Sequence, residues 1–301
     1  MNEITMTVFT PTYNRGNLLG RLYKSLRQQD DKNFIWLIVD DGSTDNTKTV
    51  IRNFVSDGIL SIEYLRQENK GKYVAHNTGV KKCTTELFVC VDSDDTLLPN
   101  AISTTKSMWA KFKDDQNVCG IVSPKFINGE SRLMFNPPEK SSLSGLYNSG
   151  NLCGETMLVF RTSVIKRFLF PEIEGEHFMS ESVVYERIDN QYKLVVFNKY
   201  LYVGEYQDSG LTRNIARIHW QNPYTTFIMY KTTAAYQKNY IKAIKACGAY
   251  LAWKEYRQIE RDYNINKRIP FLVRIGGKLL RMHYKKLFIA QSKEYWEGTN
   301  E

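Results

Sequence analysis

Three carboxylates stand within four positions at the end of an apolar run. Residues 87–95 read Leu-Phe-Val-Cys-Val-Asp-Ser-Asp-Asp, which places Asp92, Asp94 and Asp95 directly after a predicted strand. Acids this close repel one another unless a cation or hydrogen bonds offset their charge. Carboxylate oxygens suit Mg2+ or Mn2+, which share their ligands with substrate phosphates. The run therefore predicts a divalent ion that holds a phosphorylated substrate, although Asp94 or Asp95 as the cap of a helix near Pro99 fits the same residues.

Short apolar runs alternate with helical patterns through the first hundred residues. The apolar runs predict strands at 5–10, 34–39, 59–65 and 86–91. This alternation is typical of a parallel sheet with helices on both faces, whose strands bring their carboxyl ends to one edge. Three polar segments follow strands at that edge: Thr10–Tyr13, Asp40–Ser43 and Asp92–Asp95. Open sheets of this type bind ligands there, so we expect the three segments to form one site.

The composition is that of an ordinary globular protein. The 301 residues are 42% hydrophobic and 24% charged, and no run approaches the roughly 18 apolar residues of a membrane-spanning helix. The first ten residues show neither a basic segment nor a long apolar segment, so we expect a cytoplasmic protein. Five scattered cysteines without a CxxC pair, and four histidines, argue against a disulfide framework and a zinc site.

The positive charge is concentrated in the last third of the chain. Residues 211–301 contain 17 Lys and Arg against 6 Asp and Glu, whereas residues 1–210 carry a net charge of −2. A strand pair is predicted at 194–206, and the pattern becomes helical from about residue 215. We therefore expect two parts with different partners, a sheet domain over 1–214 and a basic helical region over 215–301.

Four ordered motifs resemble those of family 2 glycosyltransferases. They are Thr-Pro-Thr-Tyr-Asn-Arg from residue 10, Val-Asp-Asp-Gly-Ser-Thr-Asp from residue 39, Glu-Asn-Lys-Gly-Lys-Tyr-Val-Ala-His-Asn-Thr-Gly from residue 68, and Val-Asp-Ser-Asp-Asp from residue 91. The resemblance is close over residues 3–105 and looser to about 214. It implies the glycosyltransferase A-type fold, a mostly parallel Rossmann-like α/β sheet followed here by a helical extension. It also implies a nucleotide-diphosphate sugar donor, with Mn2+ or Mg2+ as cofactor.

The resemblance further implies which residues bind the donor nucleotide. Thr10, Pro11 and Tyr13 resemble the wall that receives the base, where stacking on an aromatic ring contributes about 1–3 kcal/mol. Asp41 resembles the carboxylate that accepts the N–H of uracil, which favours a UDP-sugar. Lys72 resembles a cation that contacts the base or phosphates, although a solvated lysine at a helix start fits as well. The full implied set is Thr10, Pro11, Tyr13, Asp41, Lys72, Asn77, Asp92 and Ser93.

The acidic run acquires separate roles from the same resemblance. Asp92 resembles the acid that contacts ribose, Asp94 the direct ligand of the metal ion, and Asp95 a supporting group. The implied ion bridges the two phosphates of the donor. Its role is to stabilise the charge on the departing nucleotide diphosphate.

The family takes its catalytic base from an acidic motif after the donor domain, commonly Glu-Asp. The matching region here is 175–187, in which Glu181 corresponds to the first acid. Ser182 stands where an Asp is common, which leaves Glu176 as the next candidate base. A plain structural role for Glu181, at the start of a helix whose dipole favours an acid, fits the same position.

Residues 263–293 contain eight Lys and Arg and no acidic residue, interleaved with apolar residues. This pattern fits a helix that lies on an anionic membrane surface, with the protein peripheral on the inner face of the plasma membrane. A helix that packs on the catalytic domain, or a contact between copies, fits the pattern too. We do not expect a nucleic-acid partner, since no recognition motif accompanies the charge.

The resemblance, taken with these features, implies an inverting, metal-dependent transferase. It moves a hexose or N-acetylhexosamine from a nucleotide diphosphate to a hydroxyl of a saccharide or lipid-linked acceptor, in surface or capsular polysaccharide synthesis. The alternative is a non-catalytic nucleotide-sugar-binding or scaffold protein of the same fold, which Ser182 favours. A dinucleotide-dependent dehydrogenase is disfavoured, because Thr10–Gly16 lacks the glycine spacing that a pyrophosphate needs.

Overall fold

An eight-stranded mixed sheet organises the first part of the chain. The computed structural model describes residues 3–127, 133–204 and 215–297. Its strands are β1 (Met6–Thr12), β2 (Phe34–Asp40), β3 (Ser61–Arg66), β4 (Leu87–Cys90), β5 (Thr96–Leu97), β6 (Val118–Pro124), β7 (Phe126–Ile127), β8 (Lys140–Ser141), β9 (Thr156–Arg161), β10 (Lys193–Val196) and β11 (Tyr202–Gly204). They form a large sheet in the order β3-β2-β1-β4-β9-β6-β10-β8 and a small sheet in the order β5-β11-β7.

Six of the described helices belong to the same unit as the large sheet. They are α1 (Leu19–Arg27), α2 (Thr47–Ser56), α3 (Lys72–Lys82), α4 (Ala101–Ala110), α5 (Leu143–Asn148) and α6 (Thr162–Ile165). Leu19, Leu22 and Leu26 recur at helical spacing in α1 and are fully buried. Every residue of β1 is buried, which shows that both faces of this central strand are covered.

The predicted parallel arrangement is confirmed for the first four strands of the large sheet. β1 pairs in parallel with β2 and β4, and β2 pairs in parallel with β3. β9 departs from this pattern, since it runs antiparallel between β4 and β6. Two strands form in the segment predicted at 194–206, but the prediction that they pair with each other is wrong: β10 pairs with β6 and β8, whereas β11 pairs with β5 and β7 in the small sheet. An apolar run predicts a strand but does not specify the partner of that strand.

A second compact unit is helical. It comprises Ile173–Asn190 and Ser209–Glu301, whereas the first unit comprises Met1–Glu172 and Gln191–Asp208. The helices are α7 (Ser182–Asp189), α8 (Ile215–Gln221), α9 (Pro223–Tyr236), α10 (Tyr240–Tyr256) and α11 (Phe271–Glu297). The helical pattern predicted from about residue 215 is therefore confirmed, and the functional division after residue 214 stays a prediction. Within the described ranges, no helix combines the length and the apolar character needed to cross a membrane.

Small residues let α10 and α11 approach closely. A Cβ atom at Gly277 would lie 2.5 Å from Cys247 Sγ, and one at Gly248 would lie 2.9 Å from Leu280 Cβ. Val273 is buried in the same cluster as Cys247. Because close-packed interiors have no room for an added methyl group, this side of α11 is fixed on α10.

Glu186 on α7 is a largely enclosed carboxyl of the helical unit. Its Oε2 atom is buried and has no hydrogen-bond partner among the residues that the structure describes. Burial raises the pKa of Glu186 to about 7; a hydrogen bond from Thr233 opposes the shift and the charge of Asp189 assists it. Between pH values of about 4.5 and about 7, Glu186 is therefore mostly protonated in the folded protein and mostly ionised in the unfolded chain.

We expect Glu186→Gln to remove a pH dependence of stability. The free energy of unfolding of the parent protein should fall as pH rises from about 4.5 to about 7, because the folded state binds more protons than the unfolded state in that window. The stability advantage of the Gln variant should grow across the window towards about 3 kcal/mol, measured by urea unfolding at a series of pH values. Glu260→Gln, at an exposed glutamate, is the control and should show no such growth. A difference between Glu186→Gln and the parent that does not change with pH would contradict this account.

Candidate functional site

The loops that follow β1 and β2 meet at one edge of the large sheet. Thr12 pairs with Asp40, so the chain leaves both strands at the same level. Asn14 joins the two loops: its backbone N–H donates to Ser43 Oγ at 2.9 Å, and its Oδ1 accepts the N–H of Thr44 at 2.8 Å. The first two polar segments at the predicted edge therefore form one surface.

Asp41 fastens the loop that leads into α3. Its Oδ1 accepts hydrogen bonds from Gln67 Nε2 at 2.7 Å and from Lys70 N at 3.0 Å, and its Oδ2 accepts one from Gly71 N at 2.7 Å. A carboxylate has about four acceptor positions, so these bonds leave one for a further donor. The geometry gives Asp41 a structural role, and its contact with a base stays a prediction.

Asp92 is paired with the lysine that begins α3. Lys72 Nζ lies 2.8 Å from Asp92 Oδ1. Burial alone would raise the pKa of Asp92, but the positive charges of Lys72, Lys125 and Arg15 outweigh it and lower that pKa to about 2. Asp92 is therefore ionised at neutral pH, and the structure brings together two residues predicted to bind a nucleotide.

Asp94 faces the loop that follows β1. Arg15 Nη1 lies 2.9 Å from Asp94 Oδ2, and Arg21 Nη2 donates to the Asp94 carbonyl oxygen at 3.2 Å. The Asp94 side chain is 19% exposed, so solvent reaches it. The alternative in which Asp94 or Asp95 caps the following helix is wrong, because the N-cap residue of α4 is Asn100.

Asp95 belongs to a buried network behind the acidic turn. Tyr202 OH donates to Asp95 Oδ2 at 2.7 Å and accepts the N–H of Asp92 at 3.0 Å. Lys125 Nζ lies 4.0 Å from the centre of the Tyr202 ring, 3.7 Å from Asp95 Oδ2 and 3.3 Å from Glu155 Oε2. Burial raises the pKa of Asp95 to about 6 despite the positive charge of Lys125. One tyrosine hydroxyl thus joins the two ends of the turn.

Protein cations offset much of the acidic charge at this edge. Each acid has a cationic neighbour, and the pairs are Lys72–Asp92, Arg15–Asp94 and Lys125–Asp95. In the part of the chain that the structure describes, no group of three or more His, Cys, Asp or Glu side chains is placed to hold a metal ion. Mg2+ sites built with substrate phosphates need one or two carboxylates, and the solvent-accessible Asp94 fits that arrangement. The residues present therefore fit an ion that is bound together with a substrate.

The residues predicted to form the base-binding wall differ in exposure. Tyr13 is 46% exposed, whereas Thr10 and Pro11 lie within β1 and are buried. Thr10 Oγ1 accepts a hydrogen bond from Trp36 Nε1 at 3.0 Å, which ties β1 to β2. Ser93 is buried within the acidic turn. Tyr13 is therefore the member of this set whose side chain is best placed to meet a ligand from solvent.

Asn77 on α3 is fastened to a distant part of the first unit. Its Nδ2 donates to Phe170 O and to Glu172 Oε1, and its Oδ1 accepts the N–H of Phe170, each at 2.9 Å. Asn77 is almost completely buried. These contacts anchor the segment at 170–172 to α3, and a role for Asn77 in nucleotide binding stays a prediction.

The two candidate bases lie in the helical unit. Glu181 is exposed at the N-cap position of α7, and its side chain makes no capping hydrogen bond to that helix. Glu176 is buried, and its two oxygens accept the N–H groups of Tyr224 and Thr225 at 2.7 Å each. Glu176 thus caps the N-terminus of α9, where the helix dipole stabilises a carboxylate.

The sheet and its edge match a known family. The family model for glycosyl transferase family 2 matches residues 7–169, which is more than half of the chain. This chain is a family 2 glycosyltransferase. The resemblance carried by the four sequence motifs is therefore confirmed, and the transferase domain includes the loops that carry Tyr13, Asp41 and Asp94.

Relatives of this transferase extend the comparison over most of the chain. A GalNAc(5)-diNAcBac-PP-undecaprenol β-1,3-glucosyltransferase of Campylobacter jejuni is 23% identical over 268 residues, which cover 83% of this chain and 82% of the relative. The crystal structure of S. aureus TarS 1-349 in complex with UDP-GlcNAc is similar with a TM-score of 0.61 at 16% identity, over 98% of this chain and 92% of that one. The crystal structure of GalNAc-T7 with UDP, GalNAc and Mn2+ gives a TM-score of 0.63 at 13% identity, over 87% of this chain and 53% of that one. At these identities the structural likeness shows the fold, and it confirms the predicted glycosyltransferase A-type sheet.

Three residues of the site have no predicted role. Arg15 stands inside the first motif, where a cation beside the residues predicted to bind the base is a usable signal. Lys125 directly follows β6, which runs in the same direction as β4 because β9 is antiparallel to both. A cation directly after a strand that ends at this edge is a sequence signal that could have placed Lys125 in the site. Tyr202 offers none, since β11 belongs to the small sheet and reaches the acidic turn through tertiary folding.

We expect Tyr202→Phe to weaken nucleotide binding by the transferase. Loss of the hydroxyl removes the shared partner of the Asp92 N–H and the Asp95 carboxyl, a cost of about 1–3 kcal/mol, and it loosens the turn that carries Asp94. Affinity for UDP, the nucleotide in the GalNAc-T7 structure, should fall about tenfold in calorimetry. Tyr240→Phe, at a tyrosine that is 63% exposed, is the matched control and should bind UDP like the parent. If Tyr202→Phe also binds UDP like the parent, the hydroxyl does not shape the site.

Proposed function

We propose that this transferase is an inverting, metal-dependent enzyme that moves a hexose or N-acetylhexosamine from a UDP-sugar to a hydroxyl of a saccharide or lipid-linked acceptor. The observation that carries the proposal is the acidic turn Asp92–Asp95, held by cations at the carboxyl edge of a family 2 sheet. The proposed process is synthesis of a surface or capsular polysaccharide. The Campylobacter jejuni relative supports this choice, since its name includes an undecaprenol-linked saccharide.

The donor nucleotide is proposed to lie along the loops after β1 and β2. Tyr13 stacks on the base, and the remaining acceptor position of Asp41 takes the N–H of uracil. Lys72 keeps Asp92 ionised, so that Asp92 accepts hydrogen bonds from the ribose hydroxyls. The structures of TarS with UDP-GlcNAc and of GalNAc-T7 with UDP support a uridine donor.

Asp94 is the proposed protein ligand of Mn2+ or Mg2+, with donor phosphates among the other ligands. Such an ion, when bound, stabilises the negative charge on the departing nucleotide diphosphate. Arg15 orients the Asp94 carboxylate through the contact between Nη1 and Oδ2. The Mn2+ in the GalNAc-T7 structure supports metal use.

Glu181 is the proposed catalytic base. It takes the proton of the acceptor hydroxyl while that oxygen bonds to the anomeric carbon and the bond from this carbon to the diphosphate breaks. Attack from the face opposite the diphosphate inverts the configuration of the sugar. The exposure of Glu181 supports this choice over Glu176, whose two oxygens are held by the backbone of α9.

The proposed location is the cytoplasm, at the inner face of the plasma membrane. All five cysteines lie in the described ranges and none of them forms a disulfide there, which suits a reducing compartment. Donor chemistry is assigned to residues 1–214, and the region 215–301 is assigned a contact with an anionic membrane surface through 263–293.

We expect turnover to require both a divalent ion and Asp94. The test is release of nucleotide diphosphate from a panel of nucleotide sugars, with a saccharide acceptor, in Mn2+, in Mg2+ and in EDTA. Asp94→Asn should lower kcat by about a hundredfold or more, because charge at the leaving group is no longer stabilised. Its melting temperature should stay near that of the parent. Asp114→Asn, at an exposed aspartate, is the control and should turn over normally.

Equal turnover in EDTA, or undiminished turnover by folded Asp94→Asn, would contradict metal dependence. A preference for a purine nucleotide sugar would contradict the role given to Asp41. A non-catalytic nucleotide-sugar-binding protein is the second candidate, because Ser182 replaces the second acid and its Oγ lies 2.9 Å from Ser180 Oγ. UDP binding without turnover of any donor would favour that candidate.

We expect Glu181→Gln and Glu176→Gln to affect different properties. Glu181→Gln should lower kcat by about 100-fold to 10,000-fold while the KM for the donor changes little, because a base acts on the acceptor. Glu176→Gln should instead lower stability by about 1 kcal/mol, since it removes a charged cap from α9. Steady-state kinetics and urea unfolding separate the two effects. Loss of turnover in Glu176→Gln, with normal turnover in Glu181→Gln, would reassign the base.

A further inference from the structure

Helix α11 has two apolar sides. Its inner side packs on α10 through Val273, Gly277 and Leu280. Its outer face, as we define it, shows six large apolar side chains to solvent: Phe271 (75% exposed), Leu272 (67%), Ile275 (45%), Leu279 (79%), Met282 (52%) and Ile289 (40%). A helix of a globular protein needs one apolar side for its core. The apolar side chains of the outer face are therefore not needed for the packing of the helical unit.

The outer face forms one continuous stripe. With about 3.6 residues per turn, Phe271, Ile275, Met282 and Ile289 fall within about 40° around the helix axis. Leu272 and Leu279 adjoin this sector. The stripe runs for about 27 Å along the helix. Its apolar side chains are thus collected along one line and not scattered.

Cations accompany the outer face. Arg274, Lys278 and Lys286 are exposed, and their helical positions border the apolar stripe or fall within it. Arg281 and Lys285 differ, because both pair with Glu255 of α10. The sequence contains no Asp or Glu from residue 263 to residue 293. The outer face therefore combines exposed apolar groups with exposed positive charge.

We propose that the outer face of α11 docks on an anionic lipid bilayer, with the helix axis in the plane of the interface. The apolar side chains enter the boundary between head groups and acyl chains, and the cations meet the lipid phosphates. This inference deepens the membrane part of the proposed function by naming the surface and its orientation. It does not depend on the donor chemistry, because α11 alone carries it.

A second copy of the chain is a poorer occupant of this surface. In a symmetric dimer the same face of each copy meets the other. Arg274, Lys278 and Lys286 of the two copies would then approach one another, and like charges at an interface oppose association. An anionic membrane supplies the opposite charge along the whole stripe.

Flotation of the full-length protein with vesicles tests the proposal. One vesicle is phosphatidylcholine alone, and the other contains phosphatidylglycerol as well. The protein should bind the anionic vesicle at least about tenfold more strongly, since several cations each contribute. Added salt should weaken this preference, because it screens exposed charge.

One pair of variants tests the apolar stripe. The test variant carries Phe271→Ser, Leu279→Ser and Met282→Ser. The matched control replaces apolar residues of comparable type that are exposed elsewhere, and it carries Val55→Ser, Ile59→Ser and Ile241→Ser. The test variant should lose more than about tenfold in binding to anionic vesicles, because three apolar side chains no longer enter the bilayer. The control should bind like the parent.

A second pair of variants tests the positive charge of the outer face, and the test and control variants lose the same net charge. The test variant carries Arg274→Gln, Lys278→Gln and Lys286→Gln. The control removes three exposed lysines from the first unit, and it carries Lys24→Gln, Lys48→Gln and Lys111→Gln. The test variant should lose about a hundredfold in binding to anionic vesicles, whereas the control should lose far less.

The melting temperature of each variant establishes that it is folded. Equal binding by the charge variant and its control overturns the proposal, as does equal binding of the parent to both vesicles. Dimerisation in light scattering that the serine variant abolishes, without vesicle binding by the parent, assigns the face to a second copy. If the serine variant unfolds, the two glutamine variants and the salt dependence of binding still test the proposal. Sugar transfer to a soluble saccharide is measured separately, so failure here and failure of the proposed function are distinguishable.

Discussion

Carboxylates crowded into one turn must receive positive charge from elsewhere in the chain, and this requirement organises the functional edge of the sheet. The cations come from three separate elements: Arg15 after β1, Lys72 at the start of α3 and Lys125 after β6. A slip of any of these elements along the sheet would separate an acid from its cation. The compensation is incomplete at the buried end of the turn, where the pKa of Asp95 is raised to about 6.

The edge is therefore a set of loops that support one another. Asp41 holds the backbone that precedes Lys72, and Lys72 in turn holds Asp92. Tyr202 closes the back of the same turn. These hydrogen bonds and ion pairs leave Tyr13 and the Asp94 carboxylate accessible to solvent. The groups proposed to contact the ligand are therefore held by loops that are ordered before the ligand binds.

Local signals account for the parts of the fold and site that could be predicted. The strands that become β1, β2, β3 and β4 follow from apolar runs, and the acidic turn follows from its place at a strand end. The antiparallel course of β9 and the separation of β10 from β11 depend on contacts between residues far apart in sequence, which periodicity does not encode. Glu176 shows the same difficulty: it lies in a motif predicted to be catalytic, but it caps α9 by accepting the N–H of Tyr224, which lies 48 residues later.

The contact between α10 and α11 has a further mechanical meaning. An isolated amphipathic helix can roll about its axis until its apolar side finds cover. α11 has lost that freedom, because Gly277 sits where even a methyl group would overlap Cys247. Rotation of α11 about its axis would replace Gly277 at this contact with a larger side chain, which would collide with α10. The contact with α10 therefore keeps the apolar stripe of α11 facing solvent. A surface that binds the stripe consequently fixes the orientation of both α10 and α11.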